Sequence, residues 1–256
     1  MFNRIFHGIQ YLAQFPSIGK ALSTLCGILE VPFLDLLLFI DQFIRPGTYK
    51  QMMPYFTQFY GSRVIPVNTT LKIIPSISPT EEIISIIRRV PALSIGYCYC
   101  RKKHQNCDNP IWTCIHIGTA KRLDELGKKI PLKSSTIREV EVLLHEADCL
   151  GLVHQLITAP SPDYVYVICN CCPCCCVMLK NALVYQLHGV ALSSNFIATQ
   201  NTENCTLCGR CVERCYFSAR TIETGKLIFD PKNCVGCGLC VSTCSVNAIH
   251  LVRRTG

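Results

Sequence analysis

Eight cysteines fall into two identical frames, Cys205-x2-Cys208-x2-Cys211-x3-Cys215 and Cys234-x2-Cys237-x2-Cys240-x3-Cys244. Thiolates are soft ligands that favour iron–sulfur clusters and zinc. Two-residue gaps let one tight loop wrap three thiolates around a cluster while the fourth arrives from elsewhere. In duplicated runs of this spacing the fourth comes from the other frame. Cys205, Cys208, Cys211 and Cys244 are thus expected to hold one [4Fe-4S] cluster, and Cys234, Cys237, Cys240 and Cys215 a second. Gly209, Gly236 and Gly238 lie between ligands, where a missing Cβ lets the backbone turn close to the sulfurs. Paired zinc sites are the competing chemistry, but two complete runs of four cysteines fit separate zinc knuckles poorly.

This segment resembles the bacterial-type dicluster ferredoxins over about residues 200 to 252. That family places proline after the last cysteine of each frame, whereas Tyr216 and Ser245 stand there in this chain. Neither position is a ligand, so the departure bears on loop stiffness.

Ten further cysteines form two upstream groups. One is Cys98, Cys100, Cys107 and Cys114; the other is Cys169, Cys171, Cys172, Cys174, Cys175 and Cys176. Six thiols within eight residues are a redox liability unless they hold metal. Almost no carboxylate or paired histidine accompanies them, so one or two further iron–sulfur clusters come first and zinc second. A helix starting at Pro173 would aim its N-terminal N–H groups at a cluster held by Cys171, Cys172 and Cys175. Cys174, Cys175 and Cys176 cannot all face one cubane, so part of the set must serve another centre or a substrate. Arg101, directly after Cys100, is placed to neutralise cluster charge or to lie on the surface. His104, His116, His145 and His154 are each more often structural than ligating. Cys26 and Cys149 stand alone and read as small packed hydrophobes.

The stretch Cys98-Tyr-Cys100-Arg101, Cys107-x2-Pro110-x3-Cys114, Gly151-Leu-Val-His154 and Ile168-Cys-Asn-Cys-Cys-x-Cys-Cys-Cys176 is similar to a poorly characterised family of dicluster ferredoxin-like proteins from anaerobes. The resemblance spans about residues 95 to 252. It implies extra metal ligation and redox function without naming a substrate.

The elements that must position these thiols are legible in part. Thr136 and Glu139 make a capping box for a helix running toward Gly151. Leu152–Thr158 and Tyr164–Cys169 read as a hairpin, so helix plus hairpin outlines a winged-helix-like unit. A helix from about Thr80 carries an apolar stripe of Ile83, Ile84, Ile86 and Ile87 and stops before Pro91. The helix opened by Pro173 is expected to reach His188, with Gly189 as its stop. Asn195 to Asn204 read as a polar linker.

The first eighty residues are apolar. Pro16, Pro32 and Pro46 are expected to divide Ile5–Ile44 into short helical pieces. The acids of Leu34–Phe43 form a polar face unlike that of a basic interfacial helix. Lys20, Glu30, Asp35 and Asp41 interrupt any run long enough to span a bilayer. Arg45 to Pro79 reads as an irregular connector.

The 256 residues are 49% hydrophobic and only 16% charged, which points to surfaces buried against partners. Twenty cysteines without a secretory leader indicate a reducing compartment, hence the cytoplasm or the cytoplasmic face of a membrane. The formal charge of +8 would be largely cancelled by three or four clusters of about two negative charges each. Its basic residues are scattered in pairs, so nucleic acid is disfavoured as a partner.

The expected fold class is α+β: a helical N-terminal docking region over 1–80, a small cysteine-rich metal-binding α/β unit over 81–194, and a two-cluster ferredoxin-like module over 195–256. The function that follows is electron transfer by a non-catalytic subunit, relaying single electrons through several [4Fe-4S] clusters to redox protein partners in a larger oxidoreductase. Residues 1–80 would contact those partners or, peripherally, a membrane. The alternative is a reductase whose upstream cysteine centre is catalytic and fed by the ferredoxin module.

Overall fold

In the computed structural model of the chain the residues described are 8–9, 11–45, 47–48, 51–52, 61–66, 83–90, 92–117, 131–159, 165–183 and 193–254. Helix α1, Pro16–Phe39, runs without interruption into a π-helical turn, Ile40–Ile44. Pro16 begins it, a position where the missing N–H costs nothing. Pro32 does not divide it as expected. An interior proline costs about 3 kcal/mol, and packing of the helix against the cysteine-rich region offsets that loss: Cys26 is buried there and Phe33 joins the same cluster. Asp35 is partly exposed, but it does more than face solvent. It accepts a hydrogen bond from the Tyr99 hydroxyl and pairs with Lys103 Nζ at 3.1 Å, anchoring α1.

The middle of the chain is a six-stranded sheet whose described pairings are all antiparallel. Its strands are β1 Gly61–Val64, β2 Leu93–Tyr97, β3 Trp112–Ile117, β4 Leu132–Ser135, β5 Val153–Thr158 and β6 Val165–Cys171, in the order β1-β5-β6-β3-β2-β4. The expected β5–β6 hairpin is present, though its Pro160–Asp163 connector lies outside the described residues. It is no winged-helix unit, because both strands sit inside the sheet, flanked by β1 and β3. The stretch taken for an irregular connector supplies β1.

Two helices cover one face of the sheet: α2, Ile83–Ile87, and α4, Ile137–Cys149. Ile83, Ile87, Val140 and Leu144 pack there against Ile115, Leu156 and Ile168. The capping box that starts α4 is as expected, with Glu139 N–H donating to Thr136 Oγ1 at 3.2 Å and Thr136 N–H to Glu139 Oε2 at 2.8 Å. Residues 80–82, where α2 was expected to begin, lie outside the description. Short α3, Tyr99–His104, follows β2.

The helix expected from Pro173 starts only at Val177; the described part of α5 is Val177–Leu183, and residues 184–189 fall outside the description. Residues 173–175 form a turn instead, closed by Cys176 N–H donating to the Cys172 carbonyl at 3.0 Å.

Half of the expected 195–204 linker is a strand. β7, Phe196–Gln200, pairs antiparallel with β10, Ile249–Arg253, and β8, Arg220–Glu223, pairs with β9, Lys226–Phe229. Between them lie two single-turn helices, α6 Arg210–Glu213 and α7 Leu239–Ser242. β7 is polar at its exposed positions, which hid it, while Phe196 and Ala198 fill the small core. Helices segregated from antiparallel sheets make the fold α+β. Among the described residues no helix is long and apolar enough to cross a membrane.

Candidate metal centre

The first three cysteines of each C-terminal frame lie on one short loop and its single-turn helix. α6 and α7 are entered through Gly209 and Gly238, and each carries a frame's third cysteine, Cys211 or Cys240. Gly236, at φ +71°, lies so close to the Phe196 carbonyl that any Cβ would collide with backbone. The thiols then sort across the frames. Cys205, Cys208, Cys211 and Cys244 line one cavity with Leu207, Ile222 and Val246. Cys215, Cys234, Cys237 and Cys240 line another with Phe217, Phe229 and Leu251.

Both sets fit a cubane: four thiols around an apolar cavity, with a backbone donor already aimed at sulfur where Ala248 N–H meets Cys244 Sγ at 3.2 Å. Arg220 adds a buried cation. Its Nη1 donates to Gln200 Oε1 at 2.8 Å, its guanidinium lies 4.8 Å from the Phe229 ring centroid, and its charge acts on both Cys211 and Cys240. Arg220 also hydrogen-bonds the Cys240 thiol, as suits a donor to cluster sulfur. Nothing in the sequence singled this residue out.

The ten upstream cysteines regroup, each set mixing both sequence groups. Cys107, Cys172, Cys174 and Cys175 bring their Sγ atoms within 4.8 Å of one another. Cys107 comes from the loop after α3, and the other three from the turn after β6. The loop is tied to the turn by His104 Nδ1–H donating to the Cys175 carbonyl at 2.7 Å and Asn106 Nδ2 to the Cys174 carbonyl at 2.9 Å. Although burial opposes it, hydrogen bonds from the Asn109 backbone and amide and from Cys174 and Cys172 push the Cys107 thiol down to about 6. Cys174 is exposed.

The other six thiols belong to the opposite face of the sheet from α4. Cys169 and Cys171 are two apart on β6 and so share a face. Continuing the β3–β6 register, Ile115 opposite Ile168, sets Cys114 beside Cys169. Cys98 and Cys100 reach this group from the start of α3, and Cys176 from the start of α5. Cys114 accepts hydrogen bonds from Cys169 and Cys98, and Cys176 from Cys100 and Cys171, which holds these two acceptors well below the ordinary thiol range. Gln155 Nε2 also donates to Cys176 Sγ at 3.6 Å. α1 adjoins the group, with Cys26 in the same apolar cluster as Cys98 and Cys114. The expected site of Cys171, Cys172 and Cys175 at a helix start is therefore not formed: Cys171 belongs to the six, Cys172 and Cys175 to the four.

Arg101 is 1% exposed and no surface residue. It donates to the Pro110 carbonyl, to Thr113 Oγ1 at 3.0 Å and to the Asn170 carbonyl at 3.0 Å. Burial opposes its charge, but Cys172, Cys98 and Cys107 outweigh burial and hold its pKa above the ordinary value. It thus interacts with members of both thiol groups. His154 lies on the α4 side, 2.6 Å from Asn170 Oδ1 through Nδ1 and 3.9 Å from Asp148, which makes it structural. His145 faces Cys149 on α4, and Cys149 is exposed instead of packed.

Tyr216 connects the two regions. Its phenol interacts with Cys172 and Cys174 upstream and with Cys237 in the C-terminal frame, and its ring packs in one cluster with Cys171, Cys176 and Cys237. The departure from proline at this position was the available signal.

Residues 227–250, which include Cys234, Cys237, Cys240 and Cys244, match the family model described as a 4Fe-4S binding domain. No curated protein matches the chain. The match and the thiol clustering together support a [4Fe-4S] cluster and the chemistry of iron–sulfur electron transfer.

Proposed function

We propose that the protein is a cytoplasmic electron-transfer subunit of a larger oxidoreductase, with two [4Fe-4S] clusters on the crossed C-terminal quartets and a further iron–sulfur cluster on the six upstream thiols. The observation that carries this reading is the single apolar cluster that holds Tyr216 together with upstream Cys171 and Cys176 and with Cys237 of the C-terminal module. Redox centres bordering one shared cluster suit stepwise transfer. When bound, such clusters supply one-electron carriers whose potentials are set by charge, burial and hydrogen bonds to sulfur. The chain's own residues supply those settings: Arg220 places a buried cation beside Cys211 and Cys240, and Gln155 donates to Cys176.

The exposed side of α1 supports membership of a complex. Ile18, Leu25, Leu29 and Leu36 are exposed and recur at steps of seven, four and seven residues. That is the seam of a helix packing on another helix, so the occupant is a helix of a partner subunit. Leu25→Glu with Leu29→Glu should release the protein from its native complex in gel filtration with its visible spectrum intact. Retention in the complex, with loss of vesicle binding instead, would assign the stripe to a membrane surface.

The second reading, a reductase with a catalytic upstream centre, is favoured by the surplus of thiols, six on one face where a cubane takes four. Iron and acid-labile sulfide per chain, measured on anaerobic protein with EPR of the reduced state, test the relay. About twelve irons are expected, against about eight for the C-terminal quartets alone. A value near eight would remove the upstream cluster, and EPR changes on adding small oxidised substrates would favour the reductase.

A further inference from the structure

The four-thiol group differs in kind from the other cysteine sets. In a cubane each thiolate binds a different iron, so the four sulfurs stand apart by the width of the whole iron–sulfide core. Around a single tetrahedral ion all four bind the same atom. With metal–sulfur bonds of about 2.3 Å, the edge of that tetrahedron is about 3.8 Å. Cys107 Sγ lies 3.6 Å from Cys172 Sγ and 3.8 Å from Cys175 Sγ, Cys174 Sγ lies 3.8 Å from Cys175 Sγ, and all four are within 4.8 Å of one another. Each C-terminal quartet instead surrounds a cavity.

We propose that Cys107, Cys172, Cys174 and Cys175 bind one thiophilic divalent ion, zinc or mononuclear iron, in a tetrathiolate site distinct from any iron–sulfur cluster. It rests on the iron–sulfur reading only in taking the other thiols to be occupied by clusters.

The surroundings are built for such an ion. Asn109 Nδ2 donates to Cys107 Sγ at 3.4 Å, and His104 and Asn106 fix the carbonyls of the turn that carries Cys174 and Cys175. These are the outer contacts that orient thiolate ligands. Arg101, with its hydrogen bond to Cys172, offsets part of the net negative charge of four thiolates on a divalent ion. The ion would cross-link the loop after α3 to the turn after β6. That holds Cys172 and Cys174 near Tyr216, and fixes Cys171 and Cys176 on either side of the turn for the six-thiol group.

Cys107→Ser and Cys174→Ser in the full-length anaerobic protein test the assignment. Each should lose about one zinc or iron per chain with acid-labile sulfide unchanged. Loss of about four irons with matching sulfide, or no loss of metal, would overturn it. If the serine variants do not fold, cysteine alkylation of the unmodified chain decides. Exposed Cys174 should resist iodoacetamide until a chelator removes one ion, then react together with Cys107 without sulfide release. Immediate alkylation of Cys174, or its release only together with sulfide, would sink the proposal. The C-terminal clusters are read separately by their sulfide and EPR signals, so their failure would not be mistaken for failure of this site.

Discussion

The guanidinium of Arg214 donates to the backbone carbonyl of Asp148 at 2.6 Å, and its other amino group reaches the Cys149 carbonyl at 2.9 Å. Those carbonyls belong to the last turn of α4, which has no intrahelical partners for its final acceptors. A residue from the first C-terminal cysteine frame therefore caps a helix of the six-stranded-sheet region. Gly151 makes the approach possible: a Cβ there would lie 3.0 Å from Arg214 Nη1 and 3.1 Å from the Tyr216 hydroxyl, and its φ of +78° is strained for any other residue. Arg214→Ala should cost about 1–3 kcal/mol, as charge-assisted hydrogen bonds are lost. Anaerobic urea unfolding reads this as a lower midpoint, and an unchanged midpoint would mean the contact contributes nothing.

The crossed quartets make a sharp prediction for double variants. Cys208→Ser and Cys244→Ser act on one cavity, so the double variant should lose about four irons, no more than either single variant. Cys208→Ser with Cys215→Ser acts on both cavities and should lose about eight. Self-contained frames would give the reverse order. Iron analysis with EPR of the reduced protein distinguishes the two.

Arg220 is 2% exposed and acts on a cysteine of each quartet. A reduced cluster is more negative, so a nearby cation stabilises it and raises its potential. Arg220→Gln keeps a donor but removes the charge. A lost interaction of about 1 kcal/mol corresponds to roughly 40 mV for a one-electron couple. Both C-terminal potentials should fall by about that amount in an EPR-monitored titration. A shift confined to one couple would show that the charge is felt by one cavity alone.

What could be read from the sequence divides along one physical line. Ligand loops formed by near neighbours, as Cys205–Cys211 and Cys234–Cys240 are, carry their geometry in their spacing. So does the Thr136–Glu139 cap, a contact between near neighbours. The upstream thiols are arranged by the sheet. Cys114 meets Cys169 because β3 and β6 are neighbours in an order β1-β5-β6-β3-β2-β4 that no local pattern encodes. Grouping by sequence therefore placed Cys107 with Cys98, and Cys171 with Cys172, where the fold separates both pairs. Pro32 and Asp35 were misread for the same reason: the packing that tolerates the one and the Tyr99 and Lys103 contacts that use the other come from distant elements. Arg101 and Arg220 look like any other arginines until burial is known.

Thr136 gives a stability test that leaves every thiol untouched. Its Oγ1 accepts from Glu139 N–H, while Glu139 Oε2 accepts from the Thr136 backbone. Thr136→Ala should cost about 1 kcal/mol at neutral pH, the usual loss of an N-cap. The reciprocal bonds, first from the Thr136 backbone and then from its hydroxyl, hold the Glu139 carboxyl below its ordinary range. A carboxyl lowered in the folded state adds stability above its unfolded pKa and loses it as pH falls through the folded value. The gap between wild type and Thr136→Ala should therefore be widest near neutral pH and shrink as Glu139 protonates. Urea midpoints across that range check this, and a gap independent of pH would assign the cap to the threonine hydroxyl alone.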